Sequence, residues 1–166
     1  MLGVVLAADG DLDAVMAMVA DRLAASGLRV AGAVQVNTDR PDNPKCHMDL
    51  HILTGGEVIR ISQNLGPMAR GCRLDPAGLE QAVGQVEAGL VAGDADVLVV
   101  NKFGKAEAEG RGFRQAIGVA LGLGLPVVIG LRPGMQGDFD AFTGGTAEVL
   151  FPDPVAVAGW ALARAR

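Results

Sequence analysis

Asp94-Ala-Asp-Val-Leu-Val-Val-Asn-Lys-Phe-Gly-Lys-Ala-Glu107 runs from an apolar segment into a polar turn and then toward a helix-like pattern near Glu109. The valine-rich run Val97 to Val100 reads as a strand buried on both faces of a parallel sheet. It ends abruptly at Asn101-Lys102-Phe103-Gly104-Lys105. In open α/β sheets, ligands bind outside the carboxyl ends of the strands. Asn101 to Glu107 is therefore expected at the working edge of the molecule.

The neighbouring segments repeat this grammar. Leu2 to Ala8 is a first apolar run, followed by Asp9-Gly10-Asp11-Leu12-Asp13. Leu12, Val15, Met16, Val19 and Leu23 recur at helical spacing, with Asp11 as the expected N-cap and Ser26-Gly27 as the stop. Arg29 to Val36 reads as a second strand, and Asn37 to Lys45, with its two prolines, as an irregular loop. Met48–Leu53 and Val58–Ser62, joined by Thr54-Gly55-Gly56-Glu57, carry a hairpin signal. Gln63 to Leu74 shows no period. Asp75-Pro76 opens a helix with Leu79, Val83, Val86 and Leu90 on its core face.

Beyond the central stretch, a helix is expected from about Gly110 to Leu123 and a buried strand from Pro126 to Leu131. A turn at Phe139–Phe142, a short strand near Val149 and a last helix from Val155 to Arg164 follow. Alternating strands and helices predict an α/β fold over residues 1–166: a three-layer sandwich on a mostly parallel sheet with an inserted β-hairpin, in one domain.

Composition narrows the function classes. Half of the 166 residues are apolar, aromatic residues are scarce, and the net charge is −5. No Lys/Arg stripe marks a nucleic-acid binder. No run is long enough to cross a membrane as a helix, and the start lacks a signal-peptide pattern, so a cytoplasmic protein is expected. The two cysteines, Cys46 and Cys72, do not make a disulfide scaffold. Cys72 lies between Arg70 and Arg73, which can lower a thiol pKa, but no partner histidine is indicated.

Two places carry candidate chemistry. The first strand-loop-helix is where a P-loop would sit, with the pattern G-x-x-x-x-G-K-[ST]. Laid from Ala7, its defining positions are Ala7, Leu12, Asp13 and Ala14, so a carboxylate stands in the lysine's place. Taken alone, the segment reads as an ordinary strand-to-helix turn. The second place is Cys46-His47-Met48-Asp49-Leu50-His51. Strand alternation puts His47, Asp49 and His51 on one face. They are either a candidate metal set or the polar outer face of a hairpin.

Asn101-Lys102-Phe103-Gly104-Lys105-Ala106-Glu107 resembles the Asp-Glu-Ile-Gly-Lys-Met-Glu motif of the small thermostable nucleoside triphosphatases, a P-loop family related to the RecA-like ATPases. Nearly the whole chain is similar to the bacterial family known as domain of unknown function 2478. The phrases that carry this are Asn37–Arg40, Ile61–Pro67, Arg70–Asp75 and Asn101–Lys105 through Phe113. Members of that family are often encoded beside molybdate-uptake genes, so the resemblance implies a link to molybdenum. In the triphosphatases the first motif acid serves magnesium and the second can orient water. Here those positions are Asn101 and Lys102. The resemblance therefore implies a degenerate P-loop NTPase-like domain with little or no metal-dependent hydrolysis.

An amide and a lysine in place of two carboxylates make the strand end attractive to an anion. Lys102 and Lys105 are expected to supply charge and Asn101 a hydrogen bond. Arg70, Gly71 and Arg73 would close the site, and Gly10 faces it from the first loop. Arg111 and Arg114 can also converge there, or all these cations can be solvated. The ligand expected is an oxyanion such as molybdate. The alternatives are a divergent nucleoside triphosphatase, with nucleotide as ligand and Glu107 as its remaining acid, and a non-catalytic protein-interaction module. The Ala/Gly-rich helices can pack within the monomer or form a homo-oligomer.

Overall fold

The structure, a computed structural model, describes residues 1–41, 43–65 and 73–165. Among them seven strands form one sheet in the order β4-β3-β2-β5-β6-β1-β7. These are β1 (Leu2–Leu6), β2 (Val30–Arg40), β3 (Asn43–Ile52), β4 (Val58–Arg60), β5 (Val97–Phe103), β6 (Val127–Leu131) and β7 (Glu148–Leu150). The five strands from β2 to β7 are parallel, and β3 and β4 extend the sheet antiparallel at one edge.

Helices cover both faces. On one side lie α1 (Asp9–Ala25) and α6 (Pro154–Leu162), packed on each other. On the other lie α2 (Pro76–Val91), α4 (Arg114–Gly122) and α5 (Gln136–Thr143), and a short α3 (Lys105–Ala108) follows β5. Strand alternation divides β5 between two cores. Leu98 and Val100 join the α2/α4 side, while Val97 and Val99 join the α1/α6 side. All four are fully buried, which is why the run shows no polar position. The result is a three-layer, P-loop NTPase-like α/β sandwich. Among the described residues, no helix is long and apolar enough to cross a membrane.

Several local expectations change. Asn37–Lys45 is not an irregular loop: β2 continues to Arg40 and β3 starts at Asn43, with paired positions from Ala33–Ile52 to Arg40–Asn43. Cross-strand pairing overrides the local turn signal here. Asp11 is not the N-cap of α1, which starts at Asp9 behind Ala8. The helix expected over 110–123 is α4 and starts later, at Arg114, with the short α3 set apart before it by Glu109 to Phe113. The turn at Phe139–Phe142 belongs to α5. Asp75 does cap α2 as its sequence implies, accepting from the Ala77 N–H at 3.0 Å with Pro76 beside it.

Candidate functional site

The carboxyl end of β5 is not a regular strand. Val100 faces Ile129 on β6, but the next matched pair is Phe103 with Leu131, so β5 carries one more residue than its neighbour. This is a β-bulge, which re-aims side chains. It requires a glycine opposite, because a β-carbon on Gly130 would run into the carbonyl oxygen of Asn101. The bulge turns both Asn101 and Lys102 toward α1, where alternation would have sent them to opposite faces.

They meet Asp13. Its Oδ1 accepts from Asn101 Nδ2 at 2.8 Å and from Lys102 Nζ at 3.2 Å. Its Oδ2 accepts from Asn37 Nδ2 at 3.0 Å. The amides are oriented in turn: Asn101 Oδ1 accepts the Gln35 backbone N–H at 2.9 Å, and Asn37 Oδ1 accepts from Gln35 Nε2 at 2.8 Å. The Lys102–Asp13 side chains are 24% and 12% exposed, so the ion pair is partly shielded from water. Lys102 thus spends its charge on Asp13, and both ends of the Asn101 amide are engaged.

Beside this network lies a cavity of about 230 Å³ at the ends of β5 and β6. Leu50, Ile61, Leu79 and Phe113 form its apolar side, and Lys105 and Arg132 line it together with the Asp13-paired Lys102. No motif or spacing singles out Arg132. It is the first residue after the buried run ending at Leu131, and that position at a strand's carboxyl end was the available signal. Lys105 is solvated, with Glu109 3.6 Å away.

Glu107 lines the same cavity but is buried, and both of its oxygens are occupied. Oε2 accepts the Gly104 N–H at 2.9 Å and Oε1 the Phe113 N–H at 3.0 Å. The first bond is the reach-back of a capping box. Gly112 lies close by at φ +58°, and a β-carbon there would strike Oε1. Glu107 therefore clamps the segment between α3 and α4 rather than presenting a free acid.

The other expected site residues divide. Arg73 donates to the Cys46 carbonyl at 3.0 Å. Arg111 pairs with Glu109, while Arg114 donates to the Glu107 carbonyl and stacks on Phe142, so neither converges on the strand end. Gly10 lies in the first turn of α1. Arg70 and Gly71, with Gly66 and Cys72, lie outside the described residues.

His47, Asp49 and His51 share a face of β3 but do not form a centre. Alternate residues on a strand are about 7 Å apart, which separates the outer two by about 14 Å, beyond the reach of one ion. Asp49 is also taken, bound to Arg60 at 2.7 and 3.1 Å. The hydrogen-bonded guanidinium holds its carboxyl below the ordinary value, against an opposing effect of burial. Among the described residues no three His, Cys, Asp or Glu side chains are grouped to hold a metal.

At the other strand end, only Ala7 and Ala8 separate β1 from α1. The segment that a P-loop would use to wrap a phosphate is coiled into helix, and the Leu12 N–H is already bonded to the Ala8 carbonyl at 2.8 Å.

Residues 1–160 match the family described as Protein of unknown function (DUF2478). The chain belongs to this family. One relative is the Molybdenum import ATP-binding protein ModC 2 of Bradyrhizobium diazoefficiens (strain JCM 10833 / BCRC 13528 / IAM 13628 / NBRC 14792 / USDA 110). It is 36% identical over 150 residues, which is 90% of this DUF2478 chain but 17% of that protein's length. The chain thus spans about a sixth of this relative. No solved structure gives a significant match.

Proposed function

We propose that this chain is a non-hydrolysing, degenerate P-loop-like domain that binds a tetrahedral oxyanion, molybdate, in cytoplasmic molybdenum handling. One observation carries the reading. The cavity at the ends of β5 and β6 is lined by Lys105 and Arg132 beside the Asp13-paired Lys102, while the one carboxylate among its described lining residues, Glu107, is satisfied by backbone N–H groups. Such a wall favours an anion without needing magnesium. Its volume lies below the range of about 300–1,000 Å³ usual for drug-sized ligands, which suits a small oxyanion better than a nucleotide. The relative's name, a molybdenum import ATP-binding protein, supports molybdate among the oxyanions.

The test is calorimetric titration of metal-stripped protein with molybdate, sulfate, phosphate and ATP, each with and without magnesium. Magnesium-independent molybdate binding, weakened by Arg132→Ala, is expected. ATP binding only with magnesium, followed by phosphate release, overturns the reading in favour of the triphosphatase.

A second reading, an interaction module, is favoured by exposed Val149 and Phe151 at the β7 edge. Sedimentation analysis separates a self-associating chain from a monomer.

A further inference from the structure

Three donors converge on the carboxylate of Asp13: Asn37 Nδ2, Asn101 Nδ2 and Lys102 Nζ, at 3.0, 2.8 and 3.2 Å. They come from two strands, Asn37 from β2 and the other two from the bulged end of β5. Both amides are preset, because each amide oxygen already accepts a bond from Gln35. An amide so held presents only its N–H₂ group outward. Two fixed amide donors and one ammonium around a single point make an oxyanion cradle, with lengths near those of charge-assisted bonds. Its occupant is a side chain of α1 rather than a ligand.

We propose that Asn37, Asn101 and Lys102 are the oxyanion's binding groups, and that Asp13 is an internal anion holding them in the unliganded protein. The inference rests on the oxyanion reading and deepens it by naming the donors and the competitor. A ligand must displace the carboxylate, and its apparent affinity falls by the fraction of molecules in which the cradle is open. The competition also sets a specificity. A monocarboxylate offers the donors nothing that Asp13 does not. A tetrahedral dianion brings more acceptor oxygens and a second charge, which Lys105 and Arg132 on the adjoining wall meet. A purely structural Asp13, pinning α1 to β2 and β5, would act in the other direction: its removal would loosen the donors and weaken molybdate binding.

The experiment titrates molybdate and sulfate into the full wild-type chain, Asp13→Ala and Asp13→Ala/Lys102→Ala, with a melting curve for each. Asp13→Ala is expected to tighten molybdate binding about tenfold or more, the scale of hydrogen bonds to a charged group. Adding Lys102→Ala is expected to reverse the gain. Wild type silent and Asp13→Ala binding also supports the inference. Wild-type binding with unchanged or weaker affinity in folded Asp13→Ala overturns the inference and leaves the oxyanion reading standing. Silence in wild type and all folded variants overturns both. If Asp13→Ala does not fold, Asp13→Asn, which removes the charge at nearly constant size, is expected to shift affinity the same way, and no gain there overturns the inference.

Discussion

Replacing Glu107 with glutamine separates a clamp from a catalyst. In the folded chain this carboxylate is 4% exposed and accepts two backbone N–H groups, from Gly104 at 2.9 Å and Phe113 at 3.0 Å. Glutamine keeps one acceptor oxygen but turns an NH₂ donor toward the other N–H. One charge-assisted bond is lost, worth about 1.5–3 kcal/mol, and a buried donor is left unsatisfied at about 1–3 kcal/mol. The neutral amide relieves part of the desolvation penalty of the buried charge. A net destabilisation of about 2–3 kcal/mol remains. For a chain this long that lowers Tm by roughly 4–12 °C. Urea and thermal unfolding of Glu107→Gln measure it directly, and Glu107→Ala, which removes both acceptors, is expected to be worse. A Glu107→Gln protein within about 0.5 kcal/mol of wild type, the usual spread for an uninvolved surface position, would refute the clamp. If that stable protein had also lost phosphate release, Glu107 would be a catalytic acid.

The same geometry fixes three further outcomes. Gly130→Ala forces a β-carbon against the Asn101 carbonyl, so the bulge must shift; both Tm and molybdate affinity are expected to fall, and an unchanged affinity would disconnect the bulge from binding. Lys105→Ala removes a side chain that is 86% exposed; stability should stay within about 0.5 kcal/mol while calorimetry reads a weaker molybdate titration. The carboxyls of Asp49 and Asp96 are held below their ordinary value by side-chain hydrogen bonds from Arg60 and Arg29. A depressed folded pKa contributes stability above the unfolded value, near 3.9, that is lost as pH falls through the folded value. Asp49→Asn and Asp96→Asn should therefore flatten the loss of stability below about pH 4, and urea titrations with the wild-type slope would exclude these pairs as its source.

The fold was legible because its signals are local and redundant. The apolar run Val97–Val100, the helical spacing of Leu12, Met16, Val19 and Leu23, and the Asp75-Pro76 start each specify an element without knowledge of the rest. What escaped depends on partners distant in sequence. Asn37–Lys45 looks like a loop until β3 pairs with it. Gln35 looks like a buried mistake until its backbone and side chain are seen to orient Asn101 and Asn37. The bulge at Asn101–Lys102 has no periodic signature, and its only local correlate is a glycine on another strand, Gly130. Proximity on a strand face suggested a metal set at His47, Asp49 and His51, but alternation fixes direction without bringing the ends of a row together.

The two departures from the P-loop pattern are one feature. Read along the chain, Asp13 falls where the P-loop pattern has its lysine and Lys102 where the triphosphatase motif has its second acid, 89 positions apart. In the fold they are 3.2 Å apart and neutralise each other. Losing the lysine alone would leave the partly buried Asp13 carboxylate without its ammonium partner, which is destabilising. Lys102→Ala in an otherwise wild-type chain would strand Asp13 between two amides, so its Tm is expected to fall further than that of Asp13→Ala/Lys102→Ala. A double-mutant cycle reads the coupling. A single variant as stable as the double would mean the pair is loosely held, and the reciprocal exchange of charge would then lose its structural explanation.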